Sequence, residues 1–209
     1  MLTVHHLNNS RSQRILWLLE ELELAYDIKS YARDLETNLA PPELEAVHPL
    51  GKSPVVTDGE NTIIESGAII DYILRRYGNG RLMPETGSAS HEKYLQWLHY
   101  AEGSAMLPLM LRMYTGRLPD GGEALQPRIN EELNRHLGYM NAALEGVDWF
   151  VDNALSGADI QLSFVVEIAP LLHPQGQFPN LDAHRARFQA LPAYRRALEK
   201  GGDYAFGPG

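Results

Sequence analysis

The sequence predicts a mixed α/β domain at its N-terminal end joined to an all-helical domain. Strand and helix periodicities alternate through the first eighty of its 209 residues. Gly78-Asn79-Gly80 and the polar stretch from Pro84 to Ser90 then break the pattern. Beyond that break the longer segments carry apolar residues at helical spacing. The expected division is residues 1–80 for the α/β domain, 81–90 for a linker and 91–209 for the helical domain.

Each element follows from local pattern. Leu2 to Leu7 is a short strand of mixed polarity, and Ser12 to Leu24 carries Ile15, Leu16, Leu18, Leu19 and Leu22 on one helical face. Ala25 to Tyr31 alternates around Tyr26, Ile28 and Tyr31 and reads as a second strand. Val55-Val56-Thr57 and Thr62-Ile63-Ile64 flank the turn-rich Asp58-Gly59-Glu60-Asn61, which predicts a β-hairpin. Ser66 to Tyr77 returns to helical spacing through Ile69, Ile70, Ile73 and Leu74. The order β-α-β, a loop or helix, then β-β-α is that of a thioredoxin-like sheet. In the second half, His91 to Tyr114 reads as one long helix and Pro127 to Leu144 as another with proline at its start. Ser156-Gly157-Ala158-Asp159 is a capping-box pattern before the apolar run Ile160 to Ile168. Asn180 and Pro192 begin two further helices, to Leu191 and Lys200.

Composition narrows the function classes. Apolar residues make up 44% and charged residues 22%, the balance of a soluble globular protein. A formal charge of −9 argues against nucleic acid as a partner, because phosphate binding needs a concentrated basic surface. Cysteine is absent, which removes disulfides, thiolate metal sites and a protein thiol nucleophile. No signal-peptide pattern or membrane-length apolar run is present, so a cytoplasmic location without membrane contact is expected. His5 and His6 point to opposite faces of a strand, and Leu95 stands where a zinc-binding helix starting at His91-Glu92 needs its second histidine. No metal site is expected.

The chemistry concentrates in His48-Pro49-Leu50-Gly51-Lys52-Ser53-Pro54 and in Glu65-Ser66-Gly67. A bond before proline adopts cis at modest cost, and Ser53 can then offer its backbone N–H and C=O sideways to an extended ligand. Ser66 sits where a helix leaves its first amide donors free, a ready site for a carboxylate. Together these read as a cradle for a small peptide-like ligand. Gly51-Lys52-Ser53 is not a phosphate-binding loop, because Ala46 stands where that motif requires glycine and Pro54 follows at once.

With Ser10-Arg11-Ser12-Gln13-Arg14, the Ser156 to Asp159 cap, Pro179-Asn180-Leu181 and Leu191-Pro192-Ala193, these motifs run in order along the chain. Over essentially its whole length the sequence resembles the glutathione S-transferase superfamily, as a serine-type cytosolic member of bacterial or fungal kind. The resemblance implies that superfamily's fold, a thioredoxin-like domain followed by a helical bundle. It also implies glutathione as co-substrate and a homodimer.

The resemblance also implies site roles. Ser10 donates a hydrogen bond to the glutathione thiolate, with Asn8, Asn9 and Ser12 as alternative donors; on composition alone Ser10 reads equally as a turn or helix-capping serine. The magnitudes suffice: lowering a thiol pKa of about 8.5 by two units takes about 2.7 kcal/mol. A charged hydrogen bond contributes about 1.5–3 kcal/mol and a helix N-terminus about 0.3–1 kcal/mol more. Lys52 contacts a ligand carboxylate, or is a solvated surface lysine. Ser53 pairs its main chain with the cysteinyl unit, beside a cis Pro54. Glu65 takes the γ-glutamyl ammonium and Ser66 its carboxylate. Met110 and Tyr114 are candidates for a second-substrate pocket, although Met106, Met110 and Met113 equally read as core packing. Glu102 is either solvated or directed at a neighbouring subunit's ligand.

The expected function is conjugation of glutathione to a small hydrophobic electrophile in detoxification. The alternatives are a glutathione-dependent peroxidase or disulfide-bond reductase on the same scaffold, and a non-enzymatic interaction or sensor module.

Overall fold

The computed structural model describes residues 1–34, 36–174 and 176–208. By packing, the chain falls into two compact units, Met1–Met83 with Phe188–Gly209, and Pro84–Arg187.

The first unit is built on a four-stranded sheet of order β2-β1-β3-β4: β1 (Leu2–Leu7), β2 (Tyr26–Tyr31), β3 (Val55–Asp58) and β4 (Asn61–Ile64). β1 pairs parallel with β2 and antiparallel with β3, and β3 pairs antiparallel with β4. The parallel pair needs a crossover, which is α1 (Ser12–Glu21); the β3–β4 pair needs only the short turn at Gly59-Glu60. α2 (Ser66–Tyr77) follows β4 and buries Ile69, Ile70, Ile73 and Leu74. Between β2 and β3 the chain forms a single 3₁₀ turn at Pro42–Leu44. Leu44 there packs against Leu7 and Tyr31.

α1 is buried from Ser12 to Glu20, more than an amphipathic helix on one sheet face requires. Its second cover is α8 (Pro192–Gly201). Trp17 stacks on Phe188 at 5.3 Å and meets Tyr194 edge-on at 5.5 Å. The buried Glu20 carboxylate accepts from Arg196 Nε at 2.9 Å, from Tyr26 Oη at 2.8 Å and from Lys200. The last helix, expected within a helical domain of residues 91–209, thus packs with the α/β unit. Its apolar residues Ala193, Tyr194 and Ala197 find their cover on α1.

Burial pushes the Glu20 carboxyl up, and the donors from Lys200, Tyr26 and Arg196 outweigh it, so its pKa lies below the usual carboxylate value. Its stabilising contribution is therefore present above the ordinary glutamate range and is lost as pH falls through the lowered value. Glu20→Gln removes the charge and is expected to cost about 2 kcal/mol at neutral pH. Denaturant unfolding at neutral and acid pH tests this: the deficit should shrink on acidification, and a deficit constant with pH contradicts it.

The second unit is helical: α3 (Ala89–Tyr100), α4 (Met106–Thr115), α5 (Gln126–Ala143), α6 (Gly157–Ile168) and the greater part of α7 (Pro179–Gln189). The single helix expected from His91 to Tyr114 is interrupted by a π turn at Ala101–Ala105. Pro108 is the physical reason. It has no N–H to donate to Ser104, and its ring would clash with that carbonyl in a regular helix. The core of this unit gathers on Trp97, which meets Phe150 at 4.6 Å and stacks on Tyr139 at 5.2 Å. Ser156 caps α6, and Asp159 completes the capping box. Among the described residues no helix is long and apolar enough to cross a membrane.

Candidate functional site

Strand register gathers the candidate residues of the first unit. His5 pairs with Val55, and Val55 with Ile64. The end of β1, the start of β3 and the end of β4 therefore lie together at one end of the sheet. From that end leave the β1–α1 loop with Ser10, the Lys52-Ser53-Pro54 approach to β3, and the Glu65-Ser66 start of α2.

Ser53 ties its loop to β1. Its Oγ donates to the His5 carbonyl at 2.8 Å and accepts from the Leu7 N–H at 3.2 Å. The Ser53–Pro54 peptide bond is cis. Gly51, just before it, has φ +56°, and a Cβ there would stand 2.8 Å from Glu45 Cγ, so the turn takes glycine for both reasons. Lys52 extends into solvent.

Ser10 Oγ lies 2.8 Å from Ser12 Oγ and 3.5 Å from Ser53 Oγ, and it accepts from the Ser12 N–H at 3.2 Å. The turn-serine reading is thus part of its geometry: it holds the first residue of α1 while its hydroxyl stands beside the Ser53 loop. Of the alternative donors, Asn9 uses its Oδ1 to accept from the Ala205 N–H at 2.7 Å. Ser12 turns inward, with Oγ 2.8 Å from His6 Nδ1 and 3.2 Å from the Leu7 carbonyl oxygen.

Glu65 stands exposed at the N-terminus of α2 with φ 66° and ψ 116°, and no side chain caps the helix. A non-glycine residue held there costs on the order of 1–3 kcal/mol, the kind of strain that collects at ligand clamps. The first intrahelical bond runs from the Ile69 N–H to the Glu65 carbonyl at 2.9 Å, so the amides of Ser66, Gly67 and Ala68 have no acceptor within the helix. Buried Arg14 donates through Nη1 to Ser66 Oγ at 3.2 Å. A guanidinium, a hydroxyl and open helix amides at one point favour a carboxylate.

Arg14 and His6 are the residues that sequence reasoning did not assign. Arg14 had a signal: it lies among the apolar residues of α1, and a buried guanidinium requires partners. His5 and His6 do face opposite ways. His5 bonds Tyr31 Oη at 2.8 Å, whereas His6 turns to Ser12. Met110 and Tyr114 lie on α4 in the helical unit, Met110 half-buried and Tyr114 56% exposed beside exposed Leu107 and Leu111. Among the described residues no group of three His, Cys, Asp or Glu side chains could hold a metal ion.

The chain matches two family profiles. Residues 1–75 match the glutathione S-transferase N-terminal domain, and residues 99–192 match the C-terminal domain. The sequence is 33% identical over 216 residues to glutathione S-transferase 3 of Schizosaccharomyces pombe, spanning 96% of this chain and 88% of that protein. A crystal structure of a glutathione S-transferase from Actinobacillus pleuropneumoniae superposes with a TM-score of 0.89 at 33% identity, covering 99% of this chain and 95% of that one. A sphingomonad glutathione S-transferase solved in complex with glutathione shares the fold at 22% identity, with a TM-score of 0.80 over 96% of this chain and 98% of that one. By fold, profile and sequence identity over nearly its whole length, the chain belongs to the glutathione S-transferase family.

Proposed function

We propose that the protein is a glutathione transferase that activates the glutathione thiol at Ser10 and directs it at a small hydrophobic electrophile. The observation that carries this reading is the meeting, at one end of the sheet, of the Ser10 hydroxyl, the Ser53 loop and the open α2 N-terminus with Arg14 and Ser66. A γ-glutamyl carboxylate on Ser66 and the α2 amides, with its ammonium at Glu65, orients the tripeptide. The cysteinyl main chain then pairs with Ser53, and its sulfur falls to Ser10. Lys52 serves the other carboxylate. The thiolate forms because the Ser10 hydroxyl and the α1 N-terminus favour the anion over the thiol. Met110 and Tyr114 contribute to the second-substrate pocket, where a thioether and an exposed aromatic ring suit varied apolar groups. The family resemblance supports a cytoplasmic homodimer engaged in detoxification.

Isothermal titration of glutathione into wild type, Ser66→Ala and Glu65→Ala tests the cradle. Wild type is expected to bind in the micromolar to millimolar range. Loss of a hydroxyl bonded to an ionised carboxylate is expected to weaken binding by roughly tenfold in Ser66→Ala. Wild-type affinity in both variants would sink the assignment.

A further inference from the structure

A hydrogen-bond chain leads inward from Ser10, and the mechanism above leaves it unused. Ser10 Oγ lies 2.8 Å from Ser12 Oγ, Ser12 Oγ lies 2.8 Å from His6 Nδ1, and His6 Nε2 lies 3.1 Å from the Gly201 carbonyl oxygen. All three side chains are buried. The far end sets the direction of the chain. A carbonyl oxygen only accepts, so His6 Nε2 carries a hydrogen, and neutral His6 then has a bare Nδ1. Ser12 donates to that nitrogen, Ser10 donates to Ser12, and Ser10 Oγ is left with a lone pair for a new donor.

The resting state is the neutral one. Burial pushes the His6 pKa below its ordinary value, with the Gly201 carbonyl opposing. The groups set around the ring are uncharged: Ser12 and Gln13 from α1, Gly201 from the end of α8, and Ser30 beside it in the β1–β2 register. The Leu7 carbonyl, 3.2 Å from Ser12 Oγ, offers that hydroxyl a second acceptor but takes no proton.

We propose that Ser10, Ser12 and His6 form a proton relay, so that ionising a thiol held at Ser10 places its proton on His6 rather than in solvent. The proposal rests on the reading of Ser10 as the partner of the glutathione thiol. The S–H bond breaks and its proton joins Ser10 Oγ. The former Ser10 hydroxyl proton moves to Ser12 Oγ, and the former Ser12 proton to His6 Nδ1. Thiol and imidazole become thiolate and imidazolium, with no proton gained or lost overall. The Ser10–Ser12 and Ser12–His6 hydrogen bonds reverse, His6 Nε2–H goes on donating to the Gly201 carbonyl, and Ser10 Oγ–H now donates to the thiolate. The Ser12 N–H, 3.2 Å from Ser10 Oγ, holds the head of the relay in both states. His6 never touches the substrate; it is a positioning residue that stores the proton.

Two readouts taken together on the full-length protein test the relay at neutral pH. One is the ultraviolet absorbance of the thiolate on saturation with glutathione. The other is the proton released into weak buffer, read with an indicator dye and corrected with S-methylglutathione, which has no thiol proton. The relay predicts thiolate with well under one proton released per thiolate formed. In His6→Asn the amide oxygen still accepts from Ser12 but stores no proton. Release should rise to one proton per thiolate, and the thiolate-to-thiol ratio should fall about tenfold, one pKa unit. Ser12→Ala cuts the chain while leaving the His6–Gly201 bond in place and should behave alike, so it carries the test if His6→Asn fails to fold. Ser10-dependent thiolate with one proton released in wild type, or wild-type proton balance in Ser12→Ala, overturns the relay alone. No glutathione binding, or thiolate that survives Ser10→Ala, overturns the Ser10 reading and the relay with it.

Discussion

Ser10→Ala is expected to lower kcat about a hundredfold while glutathione affinity changes little. Two effects set the size: two pKa units of thiolate stabilisation, from about 8.5 to 6.5, change the thiolate fraction at pH 7 by about 25-fold, and loss of one donor to a developing anion costs about 10²–10³ in other enzymes. Binding is spared because the carboxylate and main-chain anchors sit on Ser66, the α2 amides and Ser53, not on Ser10. Parallel measurement of kcat with an aryl halide and of the glutathione Kd separates the roles. Equal losses in both would make Ser10 an anchor. An undiminished kcat would pass the role to a neighbour. There the structure argues against Ser12, whose hydroxyl is turned toward His6.

The largest stability effect is expected at Asp159. Its carboxylate is fully buried and accepts from the Phe150 N–H at 3.0 Å, the Ser156 N–H at 2.9 Å and the Ser156 hydroxyl at 2.8 Å. One side chain thus closes the α6 capping box and fixes the turn that delivers Phe150 to Trp97. Asp159→Ala strands those donors in a dry interior. At about 1–3 kcal/mol for each buried unpaired group, the loss should reach about 3–5 kcal/mol. For a chain of this size that is a fall in Tm of roughly 6–20 °C, which calorimetry would register. A fall of one or two degrees would show that water or rearrangement satisfies the site.

The same residue gives a pH signature. Burial pushes Asp159 up to about 6, with the donors from Phe150 and Ser156 opposing, and burial pushes His184, 4.0 Å away, down to about 4. A carboxyl raised from 3.8 contributes stability that is full below its unfolded value and is lost as pH rises through about 6. Asp159→Asn has no such loss. Its deficit relative to wild type should therefore be greatest at and below about pH 4, shrink by about 2 kcal/mol between pH 4 and pH 6, and level off at about 3 kcal/mol in all near pH 8. A deficit that grows with pH across this window would contradict the raised carboxyl.

What the sequence determined by itself was whatever neighbours along the chain can decide. β1 spans Leu2–Leu7 and α2 spans Ser66–Tyr77 as periodicity predicts, and the hairpin turns at Gly59-Glu60 within the predicted Asp58 to Asn61 segment. The Ser156–Asp159 cap forms because its partners are three residues apart. Propensity, side-chain alternation and capping act over a few residues, so they are legible without coordinates. The π turn was missed although its cause, Pro108, lies in the same segment, because apolar periodicity continued through it. Contacts between distant residues were a different matter. Arg14 meets Ser66 across 52 positions, and Ser53 locks onto His5 across 48. His6 finds Gly201 across 195, where α8 packs on α1. Arg14 is marked locally as a guanidinium among apolar residues, but nothing local says which partner it or His6 will meet. Their roles arise only when strand register and the burial of apolar faces choose which ends of the sheet and helices meet, and that choice belongs to the tertiary structure.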